Sequence, residues 1–172
     1  MTHRSTRLPL LAVMTALMCI AGPLTLPIGP VPVSLLSAVV MLAAMLLGGR
    51  MAAASCGAYL LLGMVGLPVF GGFTGGVGHF AGPTGGFLAG YLPLALISGA
   101  VCSRTGSRLL QGLSLAGGTA ALYGLGTAWY CLQAGVSIPA ALAVCVLPFL
   151  PFDALKLALV LMVGPRLRKS LT

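Results

Sequence analysis

The sequence predicts an all-α integral membrane protein, a single domain over residues 1–172 built as one bundle of six transmembrane helices with both termini in the cytoplasm. Three observations carry that prediction. Hydrophobic residues make up 59% of the chain and charged residues 6%, with a mean hydropathy of +1.11. A soluble domain carries about a quarter charged residues, so too little polar surface exists here to cover a globule in water. Six largely apolar runs lie near the length that a bilayer demands of a helix. The basic residues sit between these runs on alternate sides, as membrane-flanking charges do.

The first run, 8–23, follows Arg4 and Arg7 in the manner of a signal sequence. It lacks a small-x-small cleavage site, and in "ALMC" Met18 occupies the position where a lipobox needs a small residue. It therefore reads as the first membrane helix. The second run, 34–49, is short, and the third, 51–68, begins just past Arg50. The fourth spans 84–103. The fifth, 107–131, carries Trp129 and Tyr130 near its end, where an aromatic belt would lie. The sixth is 139–164. The last two are long, which predicts tilt or interfacial turns.

Lysine and arginine orient the bundle. Arg4 and Arg7 precede the first run, Arg50 lies in the second connection, Arg104 and Arg108 flank the fourth, and Arg166, Arg168 and Lys169 close the chain. The first, third and fifth connections carry neither residue. Eight of the nine basic residues thus share one side, which the positive-inside rule makes cytoplasmic. Localisation in the inner or plasma membrane, as a multi-pass protein, follows. Two outer connections have unusual texture: 22–34 is rich in proline, and 66–87 is rich in glycine. Irregular backbone at membrane depth is tolerated where protein or a wet cavity covers it, so the two loops are expected to cap a cavity.

Several function classes drop out. The net charge of +8 is scattered in ones and twos rather than gathered as a patch, which argues against nucleic acid. The five cysteines stand alone, with no CxxC or Cys/His spacing for a disulfide framework or a metal. "GGFTGGVGHFAGPTGG" matches no phosphate-binding pattern, so an ATPase is not expected in this chain. His79 lacks partner ligands nearby in sequence and reads as structural. GxSG, HExxH and paired intramembrane aspartates are all missing, so no catalytic machinery and no cofactor is expected.

Asp153, the one acidic residue, and Lys156 stand three apart in the sixth run, on neighbouring positions of one helix face. Each costs about 2.5–3.5 kcal/mol at a helix centre on insertion scales, so both should face inward. One reading is a mutual ion pair that serves structure alone. The other is ligand recognition, the usual role of an ionisable residue inside a membrane.

"VPVS", "LLGGR", "YLLLGMVGLPVF", "GPTGGFLAGY" and "FDALK", in that order, resemble the BioY family. These are the biotin-specific substrate-binding (S) components of energy-coupling factor (ECF) transporters. The resemblance runs from about residue 8 to 165 and implies a six-helix S-component bundle without enzymatic activity. It implies a biotin site near the outer face, contacted by Thr74 of the "GGFTGG" stretch with Gly75 and Gly76, and by Asp153 and Lys156. Phe70, Phe73 and Tyr91 are expected as the wall around the vitamin's ring and tail. The implied partners are a transmembrane coupling subunit and two ABC ATPases, the latter using the ATP. In "AVMTA", Ala12 and Ala16 are four apart, a spacing that lets helices approach closely; the resemblance implies docking to the coupling subunit there, and packing within the bundle is the other reading. Two rival functions remain at this stage. One is a standalone channel or proton-coupled carrier using Asp153; the other is an S component for another vitamin, such as thiamine or riboflavin.

Overall fold

A computed structural model describes residues 7–26 and 33–171. Arg4 and positions 27–32 of the proline-rich connection lie outside the described residues. The elements are α1 (Arg7–Ala21), β1 (Thr25–Leu26), β2 (Val33–Ser34), α2 (Leu36–Leu47), α3 (Gly49–Met64), α4 (Gly78–Ala81), α5 (Gly85–Cys102), α6 (Arg108–Ala134), α7 (Ile138–Cys145) and α8 (Leu150–Leu171). The fold is all-helical apart from β1 and β2, which pair antiparallel with Thr25 opposite Ser34 and Leu26 opposite Val33.

The breaks follow local chemistry. Gly22 donates its N–H to the Met18 carbonyl at 2.8 Å and ends α1 ahead of Pro23. Gly48, at φ +81°, takes a conformation that side chains disfavour and lets α3 start immediately after α2. Gly135, left-handed at φ +64°, caps α6 through its N–H to the Cys131 carbonyl at 3.0 Å. The sixth predicted run is not one helix. Residues 146–149 form a turn between α7 and α8, because Pro148 cannot extend the ladder of α7. Pro151 is accommodated at the start of α8, where a missing N–H costs no helical bond.

α5 is the central element and packs against α6, α3 and α2, while α8 packs mainly on α2. Small residues allow the close approaches. A Cβ on Gly99 would strike the backbone of Gly49, and one on Gly126 would strike the ring of Phe87. At the opposite end from Asp153, the Arg168 guanidinium of α8 donates to the Cys102 and Ser103 carbonyls at 2.7 and 2.9 Å, closing the end of α5. Among the described residues, α5 is the one helix of 18 residues or more that is long and apolar enough to cross a membrane. α6 and α7 satisfy the same condition only as a pair, bent by 119°.

Candidate functional site

The first two turns of α8 carry the ion pair, Asp153 in the first and Lys156 in the second. The turn at 146–149 feeds directly into α8, with the Asp153 N–H donating to the Phe149 carbonyl at 2.8 Å. Asp153 is 7% exposed and Lys156 8%. Lys156 Nζ donates to Asp153 Oδ1 at 2.7 Å, to Ser37 Oγ at 3.0 Å and to the Ser34 carbonyl at 2.7 Å. All three ammonium protons are thereby engaged. Ser37 Oγ also lies 3.4 Å from Asp153 Oδ1, and the Tyr123 hydroxyl donates to Oδ2. Four elements, α8, α2, β2 and α6, therefore meet at one carboxylate and one ammonium. This is what buried charge requires: a paired partner, with further hydrogen bonds on the remaining atoms.

The pair faces a cavity of about 210 Å³. Its aromatic lining comes from Tyr59, Phe70, Phe87, Tyr91, Tyr123 and Phe149, with Leu36, Leu88 and Leu122 beside them. Thr25, Ser34, Ser37, His79 and Thr84 add polar groups. An apolar cavity with a few convergent polar groups is the usual form of a small-molecule site.

The glycine-rich connection is an ordered cap. Phe70 and Thr74 exchange backbone hydrogen bonds at 2.9 and 3.4 Å, closing a turn over Gly71, Gly72 and Phe73. Gly72 and Phe73 both take positive φ there, +72° and +60°. The Gly72 N–H donates to the Pro23 carbonyl at 3.2 Å and fastens this turn to the end of α1. The Tyr59 hydroxyl donates to the Val69 carbonyl at 3.0 Å, and Trp129 Nε1 donates to the Gly82 carbonyl at 2.9 Å. Phe70 packs edge-on against Tyr59, His79 and Phe80, with ring centroids 5.8–5.9 Å apart. A Cβ on Gly63 would overlap the Phe70 ring, so glycine there is what admits this aromatic into the cavity wall.

Of the residues expected from sequence, Asp153, Lys156, Tyr91 and Phe70 line one cavity. Thr74, Gly75, Gly76 and Phe73 are not among its lining residues. The Thr74 hydroxyl donates to the Gly71 carbonyl at 2.9 Å, and the Gly76 N–H donates to the Gly63 carbonyl at 2.7 Å. Gly75 is closely apposed to Leu67, and Phe73, 68% exposed, points away at the tip of the turn. Gly71 lines the cavity in their place. His79, read from sequence as structural, belongs to the lining as well. Ser34, Ser37 and Tyr123 were not expected; a phenol and two hydroxyls beside apolar segments were the available signal. Ala12 and Ala16 are exposed on α1, while Met14, Thr15 and Met18 are buried.

The model of the BioY family matches residues 1–172. Biotin transporter BioY of Thermotoga maritima is 35% identical over 158 residues, covering 91% of this chain and 92% of the relative. Probable biotin transporter BioY of Pyrococcus horikoshii is 33% identical over 165 residues, covering 96% and 98%. The crystal structure of the S-component for biotin from an ECF-type ABC transporter superposes with a TM-score of 0.91 at 31% identity, over 98% of this chain and 95% of that one.

Proposed function

The chain belongs to the BioY family, and we propose that it binds biotin in the cavity beside Asp153 and Lys156 and mediates its uptake as the substrate-specific subunit of an ECF-type ABC transporter. It is a transporter component rather than an enzyme. In this reading the helices form six membrane spans with both termini cytoplasmic, and the capped cavity opens toward the outer face. The supports are the one-sided basic residues and the likeness to the biotin S-component.

The observation that carries the reading is the buried carboxylate and ammonium on an otherwise aromatic and aliphatic cavity. Biotin's fused ureido ring presents two N–H donors and one carbonyl acceptor. Asp153 accepts from a ureido N–H, and Lys156 donates to an oxygen by exchanging one of its internal hydrogen bonds, the longest of which is to Ser37 Oγ at 3.0 Å. Charge-assisted hydrogen bonds are roughly twice as strong as neutral ones, and a dry site strengthens them further. Tyr91, Phe70 and Phe87 enclose the apolar ring and chain. A coupling subunit and two ABC ATPases then supply the driving force, with the exposed Ala12 and Ala16 as the docking face on α1.

The test is binding of tritiated biotin to the purified protein, with thiamine and riboflavin as competitors. Unlabelled biotin should displace the label while a large excess of either other vitamin does not. Absence of binding, or equal displacement by another vitamin, overturns the assignment.

A further inference from the structure

Asp153 offers roughly four acceptor positions on its two oxygens, and the structure shows how they are divided. Oδ1 takes the Lys156 ammonium at 2.7 Å and the Ser37 hydroxyl at 3.4 Å. Oδ2 takes the Tyr123 hydroxyl alone among the described residues. One acceptor position on Oδ2 is therefore left for a solute in the cavity. Tyr123 also lines that cavity, and it reaches Asp153 from α6, an element that otherwise packs on α5 and α7. The phenol has one proton, and that proton is engaged by the carboxylate, so its role toward the solute runs through Asp153.

We propose that Tyr123 is a positioning residue for biotin binding: by donating to Asp153 Oδ2, it fixes the carboxylate plane so that the free acceptor position of that oxygen points at a ureido N–H. Without this hydrogen bond, rotation about the terminal torsion of Asp153 is restrained at Oδ1 only. That torsion is intrinsically soft, and the free position then no longer has a fixed direction. Ser37 and Lys156 hold one oxygen; Tyr123 sets the other. The preference it enforces is for a solute with an N–H donor, since a carbonyl oxygen presented to Oδ2 is repelled. This inference rests on the biotin reading of the cavity.

The chain itself provides a direct reporter, because Asp153 is its only acidic side chain. Aspartate labelled with ¹³C at the side-chain carboxyl gives one antisymmetric side-chain carboxylate band in the infrared. In the full-length protein, Tyr123→Phe should shift that band in the absence of biotin, and biotin should shift it in wild type. Calorimetry should show Tyr123→Phe weakening biotin by about tenfold, and by less than about twofold when Asp153→Asn is already present. An equal fold-loss in both backgrounds, or a band indifferent to Tyr123→Phe, assigns Tyr123 to packing and overturns the proposal. If the variant does not fold, the wild-type band still tests the premise: a band that does not respond to bound biotin overturns the proposal. Wild type that fails to bind biotin overturns the functional reading itself, whereas binding that Tyr123→Phe leaves unchanged overturns only the positioning role.

Discussion

Neutralising both members of the ion pair, Asp153→Asn with Lys156→Met, separates a structural role from recognition in a way that neither single change can. Lys156→Met alone strips the carboxylate of its 2.7 Å partner and leaves the buried charge held by Tyr123 and Ser37. Breaking one side of a buried pair typically costs about 3–5 kcal/mol of stability. Replacing a whole buried pair by well-packed apolar groups of similar volume is often neutral or stabilising. Asparagine keeps an acceptor near Tyr123, and methionine follows the lysine stem through the same packing. The double variant should therefore melt within a few degrees of wild type, while Lys156→Met alone melts well below both. Binding should follow the opposite logic. Each charge-assisted hydrogen bond to biotin is worth about 1.5–3 kcal/mol, and 1.4 kcal/mol is tenfold. Loss of both predicts a fall in affinity of at least about a hundredfold, in a protein that is still folded. The assay pairs thermal unfolding in detergent with equilibrium binding of labelled biotin. A double variant that recovers stability and also binds biotin like wild type would make the pair a structural ion bridge and remove it from the site.

Two further outcomes follow from the same geometry. In a cysteine-free background, a cysteine at position 76 should react with an impermeant reagent from outside and one at position 106 should not; labelling at 106 with protection at 76 reverses the proposed orientation. Ala12→Trp or Ala16→Trp, on the exposed face of α1, should leave biotin affinity within about twofold, roughly 0.4 kcal/mol, yet abolish co-purification with the coupling subunit. Poor expression together with lost binding would assign these alanines to packing within the bundle instead.

The parts of the fold that sequence made legible are those where the bilayer penalises a residue directly. A carboxylate within an apolar run has few tolerable surroundings, so Asp153 and Lys156 are legible from the sequence alone, and they line the cavity together. Hydropathy averages over a window, however, and a window does not register a single missing N–H. Run 139–164 therefore read as one helix, although Pro148 divides it into α7 and α8. That division matters, because it sets the start of α8 and so places Asp153 in its first turn beside the cavity. The loop shows the complementary failure. Thr74 and Phe73 lie in a stretch correctly read as a cap, but side-chain direction there depends on two consecutive left-handed residues, Gly72 and Phe73. Glycine at position 72 hinted at such a turn; nothing at position 73 did, since a phenylalanine rarely adopts that conformation. Tyr123 and Ser37 escaped for a different reason. Their partner lies 30 and 116 positions away in the chain, and a hydroxyl in an apolar helix is inexpensive enough to leave no mark in composition. Only the packing of α2 and α6 around α8 converts them from incidental polar residues into the partners that hold one carboxylate in place.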